Sequence, residues 1–411
     1  MAAKKAAQSG TDFHDLIVVE TGTNLAGPMV SRALADFGAR VLKIESRTRT
    51  DLARHRPPPP GMSRAEVNDT SHNMGAGKQN VSLNLKTECG RVIFMSLLER
   101  ADIYVDSWAP GWLERLGMSH EQMMQQNERL IIVAQSAYGA SGPGSWQRVF
   151  APIMTALAGI ESLVGYEDGR VVPQIGSAIG DLVAAFTSIS LVLAALHERP
   201  RTGIGVVLDI SQIECSAALA GIAFAEWGLG GDIPGPRGNT HPSCAPHGLY
   251  RCAGNDKWIA LAVWSDQEWL ELCDELDIDD VAKVRFSKRS ARSASRAEVD
   301  AAVESRTRSE MRDELVRRLQ ARGLGCTPVL DCYEADLFEA FAERGGLWAP
   351  FQSQDGREQH ISRLPWRFDT VPFGPRATAQ SLGEATDDVL TTMLGATPNE
   401  LERWRALGAL T

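Results

Sequence analysis

The sequence predicts an α/β fold built on a parallel sheet. Three observations carry that prediction: short apolar runs alternate with helical patterns between residues 16 and 211, turns rich in small residues separate them, and one long apolar helical pattern leads into a β-branched run. Residues 16–19 form the first apolar run, 21–27 a glycine-containing turn, 28–37 a helical pattern ended by Gly38, and 41–44 the second apolar run. Gly22 and Gly27 have the spacing of a phosphate-binding loop, but Pro28 and Met29 stand where that loop needs lysine and serine or threonine, and the GxGxxG pattern is absent. Glu45 ends the second run, where dinucleotide folds place a ribose-binding carboxylate; without the glycine fingerprint that reading has little behind it.

Residues 48–70 are polar, with prolines in a row at 57–60, and read as an excursion from the core. The cadence returns with a strand at 81–85, a helix after Thr87, a strand at 103–105, a turn at 109–111, a helix boxed by Ser119 and Gln122, and a strand at 130–134. Residues 138–145, YGASGPGS, form a loop whose small side chains let a ligand approach the backbone. Residues 152–159 begin a further buried helix.

The long pattern follows. Asp181 opens residues 182–196, which are apolar on every face apart from Thr187, Ser188 and Ser190, so this helix is expected inside a large core. Pro200 is expected to stop it, and the apolar run is too short and too hydroxylated for a membrane span. Residues 206–210 make the β-branched run, and Ser211 with Glu214 boxes the next helix. Asp181 itself has two readings. As an N-cap, its carboxylate accepts from amides two and three residues on; as a nucleophile, it follows Gly180 and stands open to a substrate.

Beyond Cys215 the rhythm changes. A Gly/Pro-rich link at 228–240 separates a large N-terminal part, 1–227, from a small domain, 241–345, and a C-terminal segment, 346–411, returns to the large domain. Residues 248–252 and 257–263 read as a hairpin, followed by a helix boxed by Ser265 and Glu268, and charged amphipathic helices fill 293–322. A second hairpin is expected around Gln354-Asp355-Gly356, and helices at 387–394 and 398–406 close the chain. His241, Cys244, His247 and Cys252 lack the paired spacing of a structural zinc site, so no metal is expected, and the basic residues of 285–296 read as a solvated face.

Composition narrows the function classes. A chain of 411 residues, 44% hydrophobic, has material for two or three domains, and a formal net charge of -10 disfavours nucleic acid or an anionic membrane as partner. Seven cysteines without a CxxC pair, behind an N-terminus lacking an apolar signal stretch, point to reduced thiols and a cytoplasmic location.

Six stretches then carry a resemblance: LAGPMVSRALADFGARVLKIE (25–45), GKQNVSLNLKTECGR (77–91), ADIYVDSWAPGWLERLG (101–117), IGDLVAAF with LAALHERPRTGIGVVLDIS (179–186 and 193–211), APHGLYRCAGNDKWIALAV (245–263) and SLGEATDDVL (381–390). In these, from about Leu16 to the C-terminus, the chain resembles the family III CoA-transferases, the CaiB/BaiF family. The resemblance implies a Rossmann-like large domain built from both chain ends plus a smaller α+β middle domain, in an interlocked dimer. It places Asp181 on the family's catalytic aspartate, which attacks an acyl-CoA thioester to form a mixed anhydride and then an aspartyl-CoA thioester. It aligns Asn24, Leu25 and Ala26 with the loop that runs along CoA, Lys78 and Arg115 with basic contacts, Trp108 with an adenine-side aromatic and Tyr138 with an active-site tyrosine. Ser46, Ser107 and Ser136 stand where some members have arginine, asparagine and lysine, and Arg47 is the candidate substitute for the first.

Coenzyme A thioesters are thus expected as substrates, with no permanently bound cofactor, and the partners implied are an acyl-CoA, a carboxylic acid and a second chain, identical or related. The expected donor is succinyl-CoA and the expected acceptor a larger, partly apolar or aromatic carboxylate. Two rivals remain. A 2-methylacyl-CoA racemase needs a His-Asp pair ahead of the long helix, where this chain has Arg148-Val149-Phe150-Ala151-Pro152. A supporting subunit of a hetero-oligomeric CoA-transferase is the other, and the presence of Asp181 argues against an inert one.

Overall fold

The strands of the main sheet are β1 (Ile17–Glu20), β2 (Arg40–Glu45), β3 (Gln79–Ser82, ending three residues before the end of the run expected at 81–85), β4 (Ile103–Asp106), β5 (Ile131–Ser136) and β6 (Val206–Ser211), paired throughout in parallel in the order β3-β2-β1-β4-β5-β6. The structure is a computed structural model that describes residues 13–55, 70–172, 178–232, 235–352 and 358–411. Helices cover both faces of the sheet, which is why β1, β4 and β5 read as near-continuous apolar runs rather than as alternation. Val18, Val41, Ile103, Ile131, Val133 and Ile210 pack toward Ala26–Phe37 and the central helix Ile179–Thr202. Val19, Leu42, Ile44, Tyr104 and Ile132 pack toward Glu88–Leu98 and the last two helices, Thr386–Leu394 and Pro398–Ala406. Both chain ends therefore supply one core.

Strand order reverses between β1 and β4, and in open parallel sheets ligands bind outside the carboxyl ends of the strands at such a switch point. The turns after β1 and β4 open there.

The central helix departs from expectation in two ways. It runs on through Pro200 to Thr202 and ends at Gly203 in the left-handed conformation (φ 79°), because a proline this near the end removes one hydrogen bond from a turn that is closing anyway. It is also buried on one face only: Ala184, Ala185, Ser188, Ile189, Val192 and Leu196 are inside, while Leu191 and Leu193 remain 40% and 38% exposed. Thr187, Ser188 and Ser190 turn their hydroxyls back onto carbonyls four residues earlier, at 2.8, 2.7 and 3.0 Å, so its apolar stretch tolerates them. At 24 residues it is long and apolar enough to cross a membrane by length and composition, which the shorter run read from sequence is not. Helix Ala151–Leu157, expected to be buried, leaves Ile153 and Leu157 about half exposed.

The chain divides into two compact units, one within Met1–Ile160, Gln174–Gly231 and Gly346–Thr411, the other within Glu161–Pro173 and Asp232–Gly345. In the second, β7 (His247–Arg251), β8 (Trp258–Ala262) and β9 (Gly325–Pro328) form an antiparallel sheet, backed by helices that bury Trp269, Leu272, Val299 and Leu315. Ser265 and Glu268 make the full capping box expected of them. The sequence reading has no counterpart for β9, whose four residues include a glycine and a proline. It also misplaces Arg292, which is fully buried rather than solvated, since its guanidinium serves the carbonyls of Ala245, Ser265, Phe286 and Ser287. In the first unit, β10 (Trp348–Gln352) and β11 (Glu358–Ser362) pair antiparallel. The turn expected at 354–356, the prolines at 57–60 and positions 233 and 234 of the Gly/Pro-rich link lie outside the described residues.

Candidate active site

Asp181 is not an N-cap. The cap position belongs to Ala178, whose side chain makes no capping hydrogen bond, and Asp181 is the third residue of the helix, among the first-turn amides where negative charge is favoured. Its Oδ1 accepts a 2.9 Å hydrogen bond from Nε2 of Gln212. Gln212 is the first residue of helix Gln212–Ala217, and Ser211, accepting from the Glu214 amide at 3.2 Å, sets where that helix starts. Gly180 makes the approach possible. A Cβ there would stand 3.0 Å from Ser216 Oγ and 3.7 Å from Met154 Cβ, so three helices converge where the side chain is missing.

Sequence reading finds the aspartate but not the glutamine that holds it. Gln212 follows a cap directly, an unremarkable place for a polar residue, and its partner lies 31 positions earlier.

The switch point holds the second cluster. Trp108 and Trp112 stack with centroids 4.2 Å apart, and the Arg49 guanidinium lies 4.0 Å from the first ring and 4.8 Å from the second. The Trp108 indole N–H donates to Thr21 Oγ1 at 2.9 Å, which locks the ring to the end of β1. Around them lies a small open cavity lined by Thr21, Thr23, Ser46, Arg49, Trp108 and Trp112 among others. Burial, joined by the like charge of Arg148, holds Arg49 below the usual guanidinium range, so two positive charges face this region. Beside it Asp106 Oδ2 meets His120 Nε2 at 2.8 Å.

Of the residues aligned by resemblance, Asn24, Leu25 and Ala26 form the turn into helix Ala26–Phe37. Asn24 has φ 68°, and its amide donates to Asp51 Oδ1 at 2.8 Å. Arg47 is exposed, its backbone N–H bonded to the Thr411 carbonyl, and it does not line the cavity. Arg49, two residues on, lines it instead, because the bridge between Ser46 and Arg49 turns the chain back toward the tryptophans. Arg115 is exposed at the end of the short helix Trp112–Arg115 and also lies off the cavity lining. Tyr138 donates to Gln147 Oε1 at 3.0 Å, and its ring packs so closely on Gly144 that a Cβ there would lie 2.6 Å from Cδ1.

Lys78 is neither a surface charge nor a cation open to a phosphate. Its ammonium is buried and donates to Glu20 Oε2 at 2.6 Å, the Pro28 carbonyl at 2.8 Å and Ser31 Oγ at 2.8 Å, which uses all three protons. The other Glu20 oxygen accepts from Lys43 at 2.7 Å, and Lys43 also reaches Asp51 at 2.9 Å and the Gly22 carbonyl. Burial, with the Lys43 charge alongside, outweighs the attraction of Glu20 and pushes the Lys78 ammonium down to about 8. This ion cluster braces the turn after β1 from beneath. Glu45 is likewise committed, to Arg54 at 2.9 Å, Asn80 Nδ2 at 2.8 Å and the Asp51 amide at 3.0 Å, so it does not serve as a ribose ligand.

The family model for CoA-transferase family III matches residues 13–386. A succinyl-CoA–D-citramalate CoA-transferase of Chloroflexus aurantiacus is 29% identical over 394 residues, covering 95% of this chain and 96% of its own. The alpha subunit of a succinyl-CoA–L-malate CoA-transferase from the same organism is 27% identical over 417 residues, covering 99% and 94%. The crystal structure of a CaiB/BaiF family protein from Brucella suis superposes with a TM-score of 0.83 at 28% identity, over 93% of this chain and 99% of that one.

Proposed function

Because the chain belongs to CoA-transferase family III and is a CoA-transferase, we propose that it moves CoA from an acyl-CoA donor to a carboxylic acid through covalent intermediates on Asp181. The observation that carries this reading is the Asp181 carboxylate, in the first turn of the central helix and oriented by the Gln212 amide at 2.9 Å. One carboxylate oxygen attacks the thioester carbonyl, the C–S bond breaks, and CoA leaves as its thiolate from a mixed anhydride. The thiolate then attacks the aspartyl carbonyl and releases the donor's acid, leaving an aspartyl-CoA thioester. The acceptor carboxylate attacks that thioester and expels the thiolate, which takes the acceptor's acyl group and returns Asp181 as a carboxylate. No ATP is consumed, since each step exchanges one activated acyl bond for another. Gln212 keeps one oxygen of the nucleophile in place through the cycle, and the first-turn amides favour the charge that reappears on it.

The Trp108, Trp112 and Arg49 cavity is where the adenine end of CoA best fits, with Arg148 adding positive charge for its phosphates, and the pantetheine runs past Asn24, Leu25 and Ala26 toward Asp181. Tyr138 and Arg115 keep their proposed places near substrate, whereas Lys78 acts by bracing the turn. Succinyl-CoA is the proposed donor, as it is in the names of both relatives. A dimer is supported by apolar side chains left uncovered on the first unit, among them Ile222, Phe224, Trp227 and Leu229, and the partner is a second copy or a related subunit. Seven unpaired thiols support a cytoplasmic setting.

The test is chemical trapping. Protein mixed with succinyl-CoA and quenched with hydroxylamine is expected to carry a hydroxamate at residue 181 by peptide mass spectrometry, and Asp181→Asn to lose both the adduct and CoA transfer. Transfer that persists in Asp181→Asn removes the proposed nucleophile.

A further inference from the structure

Gln135 lies at the carboxyl end of β5, 1% exposed, and neither its Nε2 nor its Oε1 has a hydrogen-bond partner among the described residues. A buried amide with both ends unpaired lowers stability, so its presence asks what it binds. Its direction follows from strand alternation. Ile131 and Val133 face the layer formed by Ala26–Phe37 and the central helix, and Gln135, two residues further, faces the same way. Across the ladder its partner is Ile210, on the same face; two residues beyond Ile210 comes Gln212, which holds Asp181. On its other flank Ser107, two residues past Val105, accepts from the Thr23 amide at 3.2 Å, and its side chain would lie 3.2 Å from a Cβ added to Gly22 or Gly27 of the turn after β1. Gln135 therefore lies in the sheet with the strand that leads to Gln212 on one flank and the strand that leads to Ser107 on the other.

We propose that Gln135 determines acid specificity by recognising a hydroxy acid in the acyl pocket beside Asp181. A plain carboxylate or acyl group offers only acceptors and would leave Oε1 unpaired. A hydroxy acid answers both atoms, its hydroxyl donating to Oε1 and a neighbouring carbonyl or carboxyl oxygen accepting from Nε2. This rests on the transferase reading and sharpens it to a substrate class.

The experiment compares wild type with Gln135→Leu and the near-isosteric Gln135→Met. Each receives succinyl-CoA with hydroxylated acids (malate, citramalate, 2-hydroxyglutarate) or their deoxy counterparts, the succinate isotopically labelled. Wild type is expected to favour at least one hydroxylated acid by about tenfold or more in kcat/KM, and both variants to lose that preference while keeping their rate on the deoxy acid. Thermal melting of the variants is expected to be unchanged or raised, and the preferred acid to raise the melting temperature of wild type but not of the variants. A preference that survives in both variants overturns the proposal, as does a wild type that transfers CoA to deoxy acids at least as well. Absence of transfer to any acid, with no hydroxamate at Asp181, overturns the transferase reading; the melting comparison still judges Gln135 by whether a hydroxy acid stabilises wild type alone.

Discussion

Gly180→Ala should separate placement of the nucleophile from its chemistry. The new methyl would sit 3.0 Å from Ser216 Oγ, about 0.4 Å inside ordinary van der Waals contact, and Ser216 cannot swing away freely because its hydroxyl donates to the Gln212 carbonyl at 2.7 Å. The relief available is a shift of the helix's first turn, which carries Asp181 away from the Gln212 amide. Alanine's helix preference returns about 1 kcal/mol over glycine and overpacking costs about 1–3 kcal/mol, so net stability is expected to change by no more than about 2 kcal/mol. Activity is more sensitive. A misplacement of about 1 Å costs about 100-fold, and a few tenths of an ångström should lower kcat/KM and the rate of hydroxylamine-trappable acylation about tenfold. The double variant Gly180→Ala/Ser216→Ala removes the obstructing oxygen and should recover most of that loss. If Ser216→Ala gives no recovery, the contact between the two helices is not what positions Asp181.

Two further perturbations test the surroundings. Lys78→Met removes one of the two cations on the fully buried Glu20, and urea unfolding should show a loss of about 3 kcal/mol. An acyl-CoA KM raised about tenfold with stability intact would instead make Lys78 a substrate contact. For the pair of Asp106 and His120, burial works against the charged imidazole, but the hydrogen bond and charge of Asp106 prevail and raise its pKa. A raised folded-state value means the pair's stabilisation is complete below the ordinary histidine value of about 6.5 and fades as pH rises through the folded value. Wild type should therefore exceed His120→Gln in stability by more at pH 5.5 than at pH 8.5 in denaturant titrations, and a gap that widens with pH contradicts the assignment.

What could be read along the chain was whatever acts over a few residues. Apolar runs located β1, β4 and β5, because strands covered on both faces are apolar nearly throughout, while β3, QNVS, begins two residues ahead of the run at 81–85; Ser119, Ser211 and Ser265 marked helix starts through bonds that close within three residues. Asp181 was legible as a carboxylate at a helix entrance, but excluding it as the cap needed the position of Ala178, and its Gln212 partner lies 31 residues away.

The remainder was decided only by tertiary structure. Arg47 and Arg49 are indistinguishable as charges in a polar stretch, and the turn from Ser46 to Arg49 determines which of them reaches Trp108. Lys78 reads as an ordinary surface cation until Glu20, from a strand two places away in the sheet, is set beneath it. Gln135 is one more strand residue until the amide is found buried with no hydrogen-bond partner among the described residues. Periodicity and capping are local energies and so appear in local sequence, whereas the burial of a charge or an amide depends on which distant elements enclose it, and that follows only from the packed chain.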